Sequence, residues 1–198
     1  MRTLAIETAT EACSVALFEG DTLLAHRHEL LGRGHAEQLV PFIAGLPDRG
    51  RAERILVSLG PGSFTGVRIG VAAARALGFA WTAKVLGYPT LALVAAMSAR
   101  GQVLACMNGG HGEWFVQPFA DGVSADACLS LPPSEAVASF AQHAVAGSRA
   151  EEFVALRGHG EALDLLPDAR HALALPAPLL TGDIAPIYGR GPDARLPQ

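Results

Sequence analysis

Three short runs of β-prone residues open the chain. They extend from Leu4 to Glu7, from Cys13 to Glu19 and from Thr22 to Glu29, and polar or glycine-containing turns separate them. Runs of this length with turn residues between them are typical of strands that are joined by hairpins. The pattern therefore predicts an antiparallel meander at the start of the fold.

Helical periodicity follows the meander. Apolar residues recur at the spacing of one helical face between His35 and Leu46, which predicts a helix over that range. A strand, a helix rich in small residues, another strand and a short helix are predicted next. Their bounds are Ile55 to Leu59, Val67 to Phe79, Val85 to Tyr88 and Leu91 to Met97.

The second half of the chain begins with the same pattern. A strand from Val103 to Met107 is followed by its hairpin partner from Glu113 to Ala120. A helix opened by Pro132 and capped by Ser134 is predicted to reach about His143, and beyond residue 163 the periodicity is weak. We therefore predict two α/β lobes, residues 1–100 and an abbreviated second lobe with the C-terminal segment, residues 101–198.

The composition favours a well-packed globular protein. Hydrophobic residues make up 50% of the 198 positions and charged residues only 17%, which argues against disorder. The formal net charge of −4 argues against direct binding to nucleic acid, because stand-alone DNA or RNA binders are usually basic. No apolar run approaches the roughly 20 residues that a membrane span needs. Widely spaced cysteines without a CxxC pair predict reduced thiols in a cytoplasmic protein.

A glycine-rich turn joins the strand that ends at Leu59 to the helix of small residues. Such turns often bind phosphates, but a Walker A loop needs a Gly-Lys pair that is missing here. A Rossmann fingerprint needs an acidic residue about twenty positions on, and the strand from Val85 to Tyr88 has none. The structural alternative is a fixed backbone bend in which Ser63 and Thr65 cap the helix. The turn consists of Gly60, Pro61, Gly62, Ser63, Phe64, Thr65 and Gly66.

Searches for catalytic and metal-binding motifs predict neither kind of site. His26 and His28 alternate on a strand without a third ligand nearby in sequence, so a partly exposed strand face is the simpler interpretation. His35 fits neither H-E-x-x-H nor H-x-x-x-H, because Leu39 occupies the fourth position after it. Ser63 lacks the G-x-S-x-G frame of a hydrolase nucleophile.

Taken together, these segments resemble the TsaB (YeaZ) family. The resemblance is dense over residues 1 to about 95 and thin beyond them, apart from a patch near the C-terminus. It implies an α/β protein with the actin-like ATPase (ASKHA) fold of sugar kinases and Hsp70, in which two lobes are present and the second is shortened. The matching segments are Leu4 to Leu17, Gly34 to Glu37, Gly60 to Gly70, Pro186 to Tyr188, and Arg190 with Pro192 to Ala194.

The resemblance implies a non-catalytic partner of the TsaD transferase in bacterial synthesis of threonylcarbamoyladenosine on tRNA. It implies pairing with TsaD through the two helices of the first lobe, a homodimer when TsaD is absent, and a TsaE-type P-loop ATPase as a further partner. Transfer RNA would be reached only through the complex. No tightly bound cofactor is expected, and ATP or ADP could bind only at the complex interface. The interface predicted on these helices consists of His35, Leu39, Phe42, Ile43, Gly66, Val67, Gly70, Ala73, Ala74 and Leu77.

Departures from the family pattern concern nucleotide and metal chemistry. In the superfamily the first hairpin contacts nucleotide phosphate, and a vestigial form of it is predicted at Glu7, Thr8 and Thr10. The family usually carries Asp where Glu7 stands, and the metal-binding H-x-x-x-H of TsaD has no counterpart between Tyr88 and Val94. Two alternatives remain open: an independent actin-fold ATPase or kinase, for which Glu7 is the only suitably placed acid, and a peptidase, a label carried by relatives of TsaD.

Overall fold

A computed structural model describes residues 1–124 and 126–189, and within these ranges the chain forms two five-stranded sheets. The strands of the first sheet are β1 (Arg2–Glu7), β2 (Ala12–Glu19), β3 (Thr22–Leu30), β4 (Arg54–Ser58) and β5 (Lys84–Tyr88). Their order across the sheet is β3-β2-β1-β4-β5. The first three strands form the predicted antiparallel meander, and β4 and β5 extend it in parallel with β1.

Helices cover both faces of the first sheet. The helices are α1 (His35–Ala44), α2 (Phe64–Trp81) and α3 (Thr90–Ser98). Leu4 and Ile6 of β1 belong to the apolar cluster that holds α1 and α2, whereas Ala5 between them belongs to the cluster around α3. This alternation follows from the two-residue period of a strand. The predicted elements of the first lobe are confirmed, and α2 begins at Phe64 rather than at Val67.

The second sheet repeats the topology of the first. Its elements are β6 (Gln102–Gly110), β7 (Glu113–Ala120), β8 (Leu129–Leu131), α4 (Pro133–Ser139), β9 (Ala144–Ala146), α5 (Ala150–Arg157) and β10 (Glu161–Leu163). The order β10-β9-β6-β7-β8 has the same parallel and antiparallel pairings as the first sheet. The helix predicted to reach His143 ends at Ser139, and Pro132 rather than Ser134 is its N-cap residue.

The end of the described chain returns to the first lobe. A 3₁₀ segment, Ala169–Ala174, packs against the meander and α3. Thr181 then pairs with Gly87 of β5, and the Ile187 N–H donates to the Leu59 carbonyl at 2.7 Å. Within residues 1–124 and 126–189, no helix is both long and apolar enough to cross a membrane. Arg190 and residues 192–194 of the family resemblance lie outside the described residues.

Candidate functional site

A cleft of about 940 Å³ lies between the two lobes. Its walls come from the β1–β2 turn, the glycine turn, the β6–β7 turn and the end of the described chain. Concave, largely apolar cavities of this size are the usual form of a ligand site. Among the site residues that the sequence predicts, those that line the cleft are Thr10, Gly62, Ser63, Phe64 and Val67.

The glycine turn packs tightly against the β1–β2 hairpin. Gly60 has a left-handed φ of 93°, which favours glycine. The Ser63 N–H donates to the Ala9 carbonyl at 2.7 Å, and a Cβ at Gly62 would lie 2.1 Å from the same oxygen. Ser63 Oγ accepts a hydrogen bond from the Gly66 N–H at 3.2 Å, which confirms Ser63 as the cap of α2. The turn thus fixes the start of α2 against the hairpin.

The small residues of α2 face inward, toward the chain's own hairpin. A Cβ at Gly66 would lie 2.1 Å from the Thr8 carbonyl oxygen, and one at Gly70 would lie 2.4 Å from Thr8 Oγ1. Thr8 Oγ1 also donates to the Gly66 carbonyl at 2.8 Å. The close approach that glycine permits is therefore used between α2 and the β1–β2 hairpin within this chain.

The predicted partner interface needs a correction in its residues. Most of its members are buried in the core of the first lobe, because they are the side chains that hold α1 and α2 on the sheet. His35, for example, is 7% exposed, and its Nε2 lies 3.2 Å from the Ala12 carbonyl oxygen. Ala73 and Leu77 are half-buried. The buried members are His35, Leu39, Phe42, Ile43, Gly66, Val67, Gly70 and Ala74.

A different, outward-facing apolar surface exists on the same two helices. Phe79 of α2 is 91% exposed and Val40 of α1 is 63% exposed. We call this surface the outer helix face. Alanines dominate the rest of it, and Ile69 at its edge is half-buried. Its exposed residues are Ala36, Val40, Ala44, Ala72, Ala76, Phe79 and Ala80.

Glu7 lies beneath the cleft and does not line it. It is fully buried, its Oε1 accepts a hydrogen bond from the Ala9 N–H at 2.7 Å, and its Oε2 lies 3.4 Å from Tyr88 Oη. Tyr88 Oη donates to the Ile6 carbonyl at 3.0 Å, so it has lone pairs left to accept from a protonated Glu7. Burial raises the pKa of Glu7 from 4.5 to about 7. Of the predicted vestigial nucleotide hairpin, only Thr10 reaches the cleft, and Thr8 is buried.

The raised pKa of Glu7 predicts a loss of stability as the pH rises. Between pH 4.5 and about 7 the unfolded chain releases the Glu7 proton while the folded chain keeps it. At about 1.4 kcal/mol per pKa unit, this lowers the free energy of unfolding by about 3 kcal/mol over that window. The glutamine of Glu7→Gln cannot ionise. The free energy of unfolding of this variant, relative to that of the natural protein, should therefore rise by about that amount between pH 5 and pH 8.

Urea unfolding of both proteins at the two pH values measures this effect. Glu151→Gln is the matched control, because Glu151 is exposed on α5. If the free energies of unfolding of Glu7→Gln and the natural protein differ by the same amount at both pH values, Glu7 is ionised in the folded chain at both of them.

An aromatic and arginine cluster stands at the mouth of the cleft. The Arg68 Cζ lies 3.4 Å from the centroid of the Phe64 ring. Tyr188 Oη accepts hydrogen bonds from Arg68 Nε at 3.3 Å and Nη2 at 3.0 Å, and the two rings are 5.6 Å apart. We call these three residues the mouth cluster. Thr65, predicted as a second cap, is an exposed residue of the first turn of α2.

Sequence reasoning missed a buried link between the C-terminal half and the meander. Asp168 is 2% exposed; its Oδ1 accepts from Ser14 Oγ at 3.1 Å, and its Oδ2 lies 3.8 Å from His26 Nε2. Arg170 Nε lies 2.8 Å from Oδ2, as an ion pair without hydrogen-bond geometry. His26 is thus part of a contact between lobes. Asp168 is more than a hundred residues from Ser14 and from His26 in the sequence. No signal in the sequence therefore links Asp168 to these two residues.

The cysteines are poor nucleophiles. All three lie in the described ranges and none forms a disulfide; Cys13 and Cys106 are buried and Cys128 is half-buried. Burial raises the pKa of each thiol to about 12. Because the thiolate is the reactive form, these residues supply no nucleophile at neutral pH.

Carboxylates are sparse among the described residues that line the cleft. Glu11 is the carboxylate among its described lining residues, and Glu7, the acid that the ATPase or kinase alternative needs, is buried behind it. In the part of the chain that the structure describes, no group of three or more His, Cys, Asp and Glu side chains could hold a metal ion. Hard cations such as Mg²⁺ prefer clustered oxygen ligands, so these residues do not supply a metal site.

The repeated sheet order and the interlobe cleft define an α/β protein of the actin-like ATPase fold. A structure of the ethanolamine utilization protein EutJ from Carboxydothermus hydrogenoformans supports this fold, with a TM-score of 0.55 at 10% identity over 88% of this chain and 89% of that one. The sequence model of the family "TsaD: tRNA N6-adenosine threonylcarbamoyltransferase" matches residues 29–170. The predicted fold class is therefore confirmed.

Proteins named TsaB are among the relatives. The chain is 40% identical to the tRNA threonylcarbamoyladenosine biosynthesis protein TsaB of Escherichia coli over 122 residues, which cover 57% of this chain and 52% of that protein. It is 34% identical to the Bacillus subtilis TsaB over 126 residues, 61% of this chain and 50% of that protein. The matches thus span about half the length of these relatives.

Solved structures extend the similarity over nearly the whole chain. YeaZ from Pseudomonas aeruginosa superposes with a TM-score of 0.77 at 28% identity, covering 94% of this chain and 99% of that one. The chain belongs to the TsaD family of the matching model and, within it, to the TsaB (YeaZ) group.

Proposed function

We propose that this chain is an accessory, non-catalytic subunit of bacterial threonylcarbamoyladenosine synthesis on tRNA, and that it supports a TsaD-type catalytic subunit. The names of its TsaB relatives support the pathway. The buried, hydrogen-bonded Glu7 and the lack of an H-x-x-x-H motif between Tyr88 and Val94 support the non-catalytic role. The partner would supply the chemistry, and the complex would act in the cytoplasm.

The outer helix face is the observation that carries the proposed partnership. An amphipathic surface helix normally presents polar residues to water. From Ile69 to Ala80, however, Arg75 is the only charged residue of α2, and Phe79 is almost fully exposed. Exposed apolar patches of this kind mark protein interfaces. Alanines permit close approach of helix axes, and Phe79 and Val40 would fill grooves of a facing helix pair.

The same face accounts for the other proposed assemblies. A self-complementary apolar surface would form a twofold homodimer when the catalytic subunit is absent. A TsaE-type P-loop ATPase would join the complex, and any nucleotide would bind at a subunit interface. Transfer RNA would be held by the partners, because a chain with a net charge of −4 is a poor binder of polyanions by itself.

Sedimentation of the purified chain, alone and with the TsaD-type subunit of the same genome, tests this proposal. We expect a dimer of the chain to be replaced by a one-to-one complex as the catalytic subunit is added. Two independent species at all mixing ratios would contradict the proposed partnership.

A further inference from the structure

The mouth cluster is an exposed surface without an assigned role. Phe64 is 56% exposed and Tyr188 is 51% exposed, although each is a large ring. Arg68 stacks on Phe64 and bonds to the hydroxyl of Tyr188, so its guanidinium is held in one place. Tyrosine and arginine, held rigidly beside a pocket, are the residues that contribute most to binding energy at protein interfaces.

No carboxylate in the described part of the chain forms an ion pair with Arg68. Arg100, for comparison, pairs with Glu161 at 2.5 Å, and Arg170 pairs with Asp168. Among residues 1–124 and 126–189, Arg68 forms no salt bridge, and its described polar partner is the neutral Tyr188 hydroxyl. A guanidinium fixed in this way is complementary to a carboxylate, which it binds through two parallel N–H donors.

The cleft behind the mouth cluster has one wall that is a segment of this chain's own main chain. The chain's own residues 187–189 line it, and the Ile187 N–H donates to the Leu59 carbonyl at 2.7 Å. The Ile187 carbonyl oxygen would lie 2.7 Å from a Cβ at Gly60, and Gly189 passes so close to Phe115 that a Cβ there would lie 2.4 Å from the ring. This segment of main chain therefore packs closely on both lobes, and one backbone hydrogen bond holds it to Leu59.

The cleft has a largely apolar lining, with polar groups from residues such as Asn108, His111 and Ser148. Val67, Met107, Phe115 and Ile187 line it beside the glycines of the two turns. Apolar walls beside the Arg68 guanidinium are complementary to a ligand in which an apolar side chain neighbours an acidic residue. Glu11, which also lines the cleft, disfavours a ligand with several negative charges.

We infer that the mouth cluster and the cleft behind it form a docking site for an extended acidic and apolar segment of another protein. A carboxylate of that segment binds Arg68, and the neighbouring apolar side chain enters the cleft between Val67 and Phe115. Phe79, the most exposed residue of the outer helix face, lies fifteen residues from Phe64, or about 22 Å along α2, whereas Ala72 of that face lies one helical turn from Arg68. RNA is the weaker occupant, because a protein with a net charge of −4, with Arg68 as the one arginine among the described residues that line the site, gives phosphates little attraction.

A random heptapeptide phage library, selected on the purified full-length chain, tests this inference. We expect enriched sequences to combine Asp or Glu with a large apolar residue one or two positions away. A fluorescent synthetic peptide of the enriched sequence should then lose about tenfold or more in affinity on Arg68→Met, as expected for one charge-assisted pair. Replacement of the peptide's acidic residue by its amide should lower the affinity for the natural protein by about the same factor. The same replacement should not lower the affinity for Arg68→Met any further.

Matched variants separate this site from general effects. Arg51→Met removes an exposed arginine outside the cleft lining and should leave peptide affinity unchanged. Tyr188→Phe keeps the ring but removes the hydroxyl that orients Arg68, and should weaken binding less than Arg68→Met. Thermal unfolding of each variant checks that the fold is intact.

Three results would overturn the inference. The first is a library selection without an acidic and apolar consensus. The second is a selected peptide that binds equally well to Arg68→Met and the natural protein. The third is a labelled single-stranded polyuridine that binds more tightly than the peptide and depends on Arg68, which would assign the cluster to RNA. The proposed function is tested by a separate measurement, the sedimentation of the chain with the TsaD-type subunit.

Discussion

Phe79→Asp is expected to weaken binding of the TsaD-type subunit by about a hundredfold or more. Truncating a central aromatic residue at an interface costs about 2 kcal/mol or more, and the introduced carboxylate would have to be desolvated without a partner. Isothermal titration of the purified subunits measures the change. Because Phe79 is 91% exposed in the isolated chain, the variant should keep its free energy of unfolding when measured as a monomer.

Leu156→Asp is the matched control for this prediction. Leu156 is 56% exposed on α5 of the second lobe, so the same apolar-to-acidic change is made away from the outer helix face. Its binding should equal that of the natural protein. If Phe79→Asp and Leu156→Asp bind equally well, the partner does not use the outer helix face.

Gly66→Ala is expected to destabilise the fold by about 3 kcal/mol. In an exposed helix this substitution would add up to about 1 kcal/mol of stability. Here the new Cβ would lie 2.1 Å from the Thr8 carbonyl oxygen, a backbone atom that cannot rotate away. Overpacking of this kind typically costs about 1–3 kcal/mol, and contact with backbone places it at the upper end. Urea unfolding measures the difference.

Gly182→Ala provides the control for the glycine prediction. A Cβ at Gly182 would have nothing within 4 Å, and the residue does not have a left-handed φ. Its free energy of unfolding should change by about 0.5 kcal/mol or less. Equal stability of the two variants would mean that α2 does not rest on the hairpin at Gly66.

The first lobe could be predicted well from the sequence because its elements are long enough to show periodicity. The meander appears as three β-prone runs with turn residues between them, and α1 appears as a 3.6-residue apolar pattern. The second lobe was harder, since β8, β9 and β10 are three residues each and α5 is eight residues long. Strands this short do not complete an alternation, and tertiary packing decides their conformation.

The partner interface shows where sequence reasoning fails on this fold. In α2, apolar residues occur on every side, with Val67 and Val71 inward and Ala72 and Phe79 outward. Periodicity alone cannot tell which apolar side faces the sheet and which faces a partner. The glycines were assigned to the partner side, whereas Thr8 occupies the space that they leave. That α1 and α2 bind a partner stays a prediction. The residues proposed to contact the partner are now those of the outer helix face.

The change of residues alters the interpretation of the glycine turn as well. Its glycines press α2 against the hairpin that, in the superfamily, contacts nucleotide phosphate. Glu7 meanwhile takes its hydrogen bond from the Ala9 N–H within the core. A hairpin packed in this way, with Glu7 buried, supports the proposal of an accessory subunit whose partner carries out the catalysis.

Quantitative mass spectrometry of tRNA nucleosides after depletion of this chain in its native cell tests the central claim most directly. Threonylcarbamoyladenosine should fall sharply, and should recover on expression of the natural protein or of Leu156→Asp but not of Phe79→Asp. An unchanged threonylcarbamoyladenosine content after depletion would contradict the proposed function.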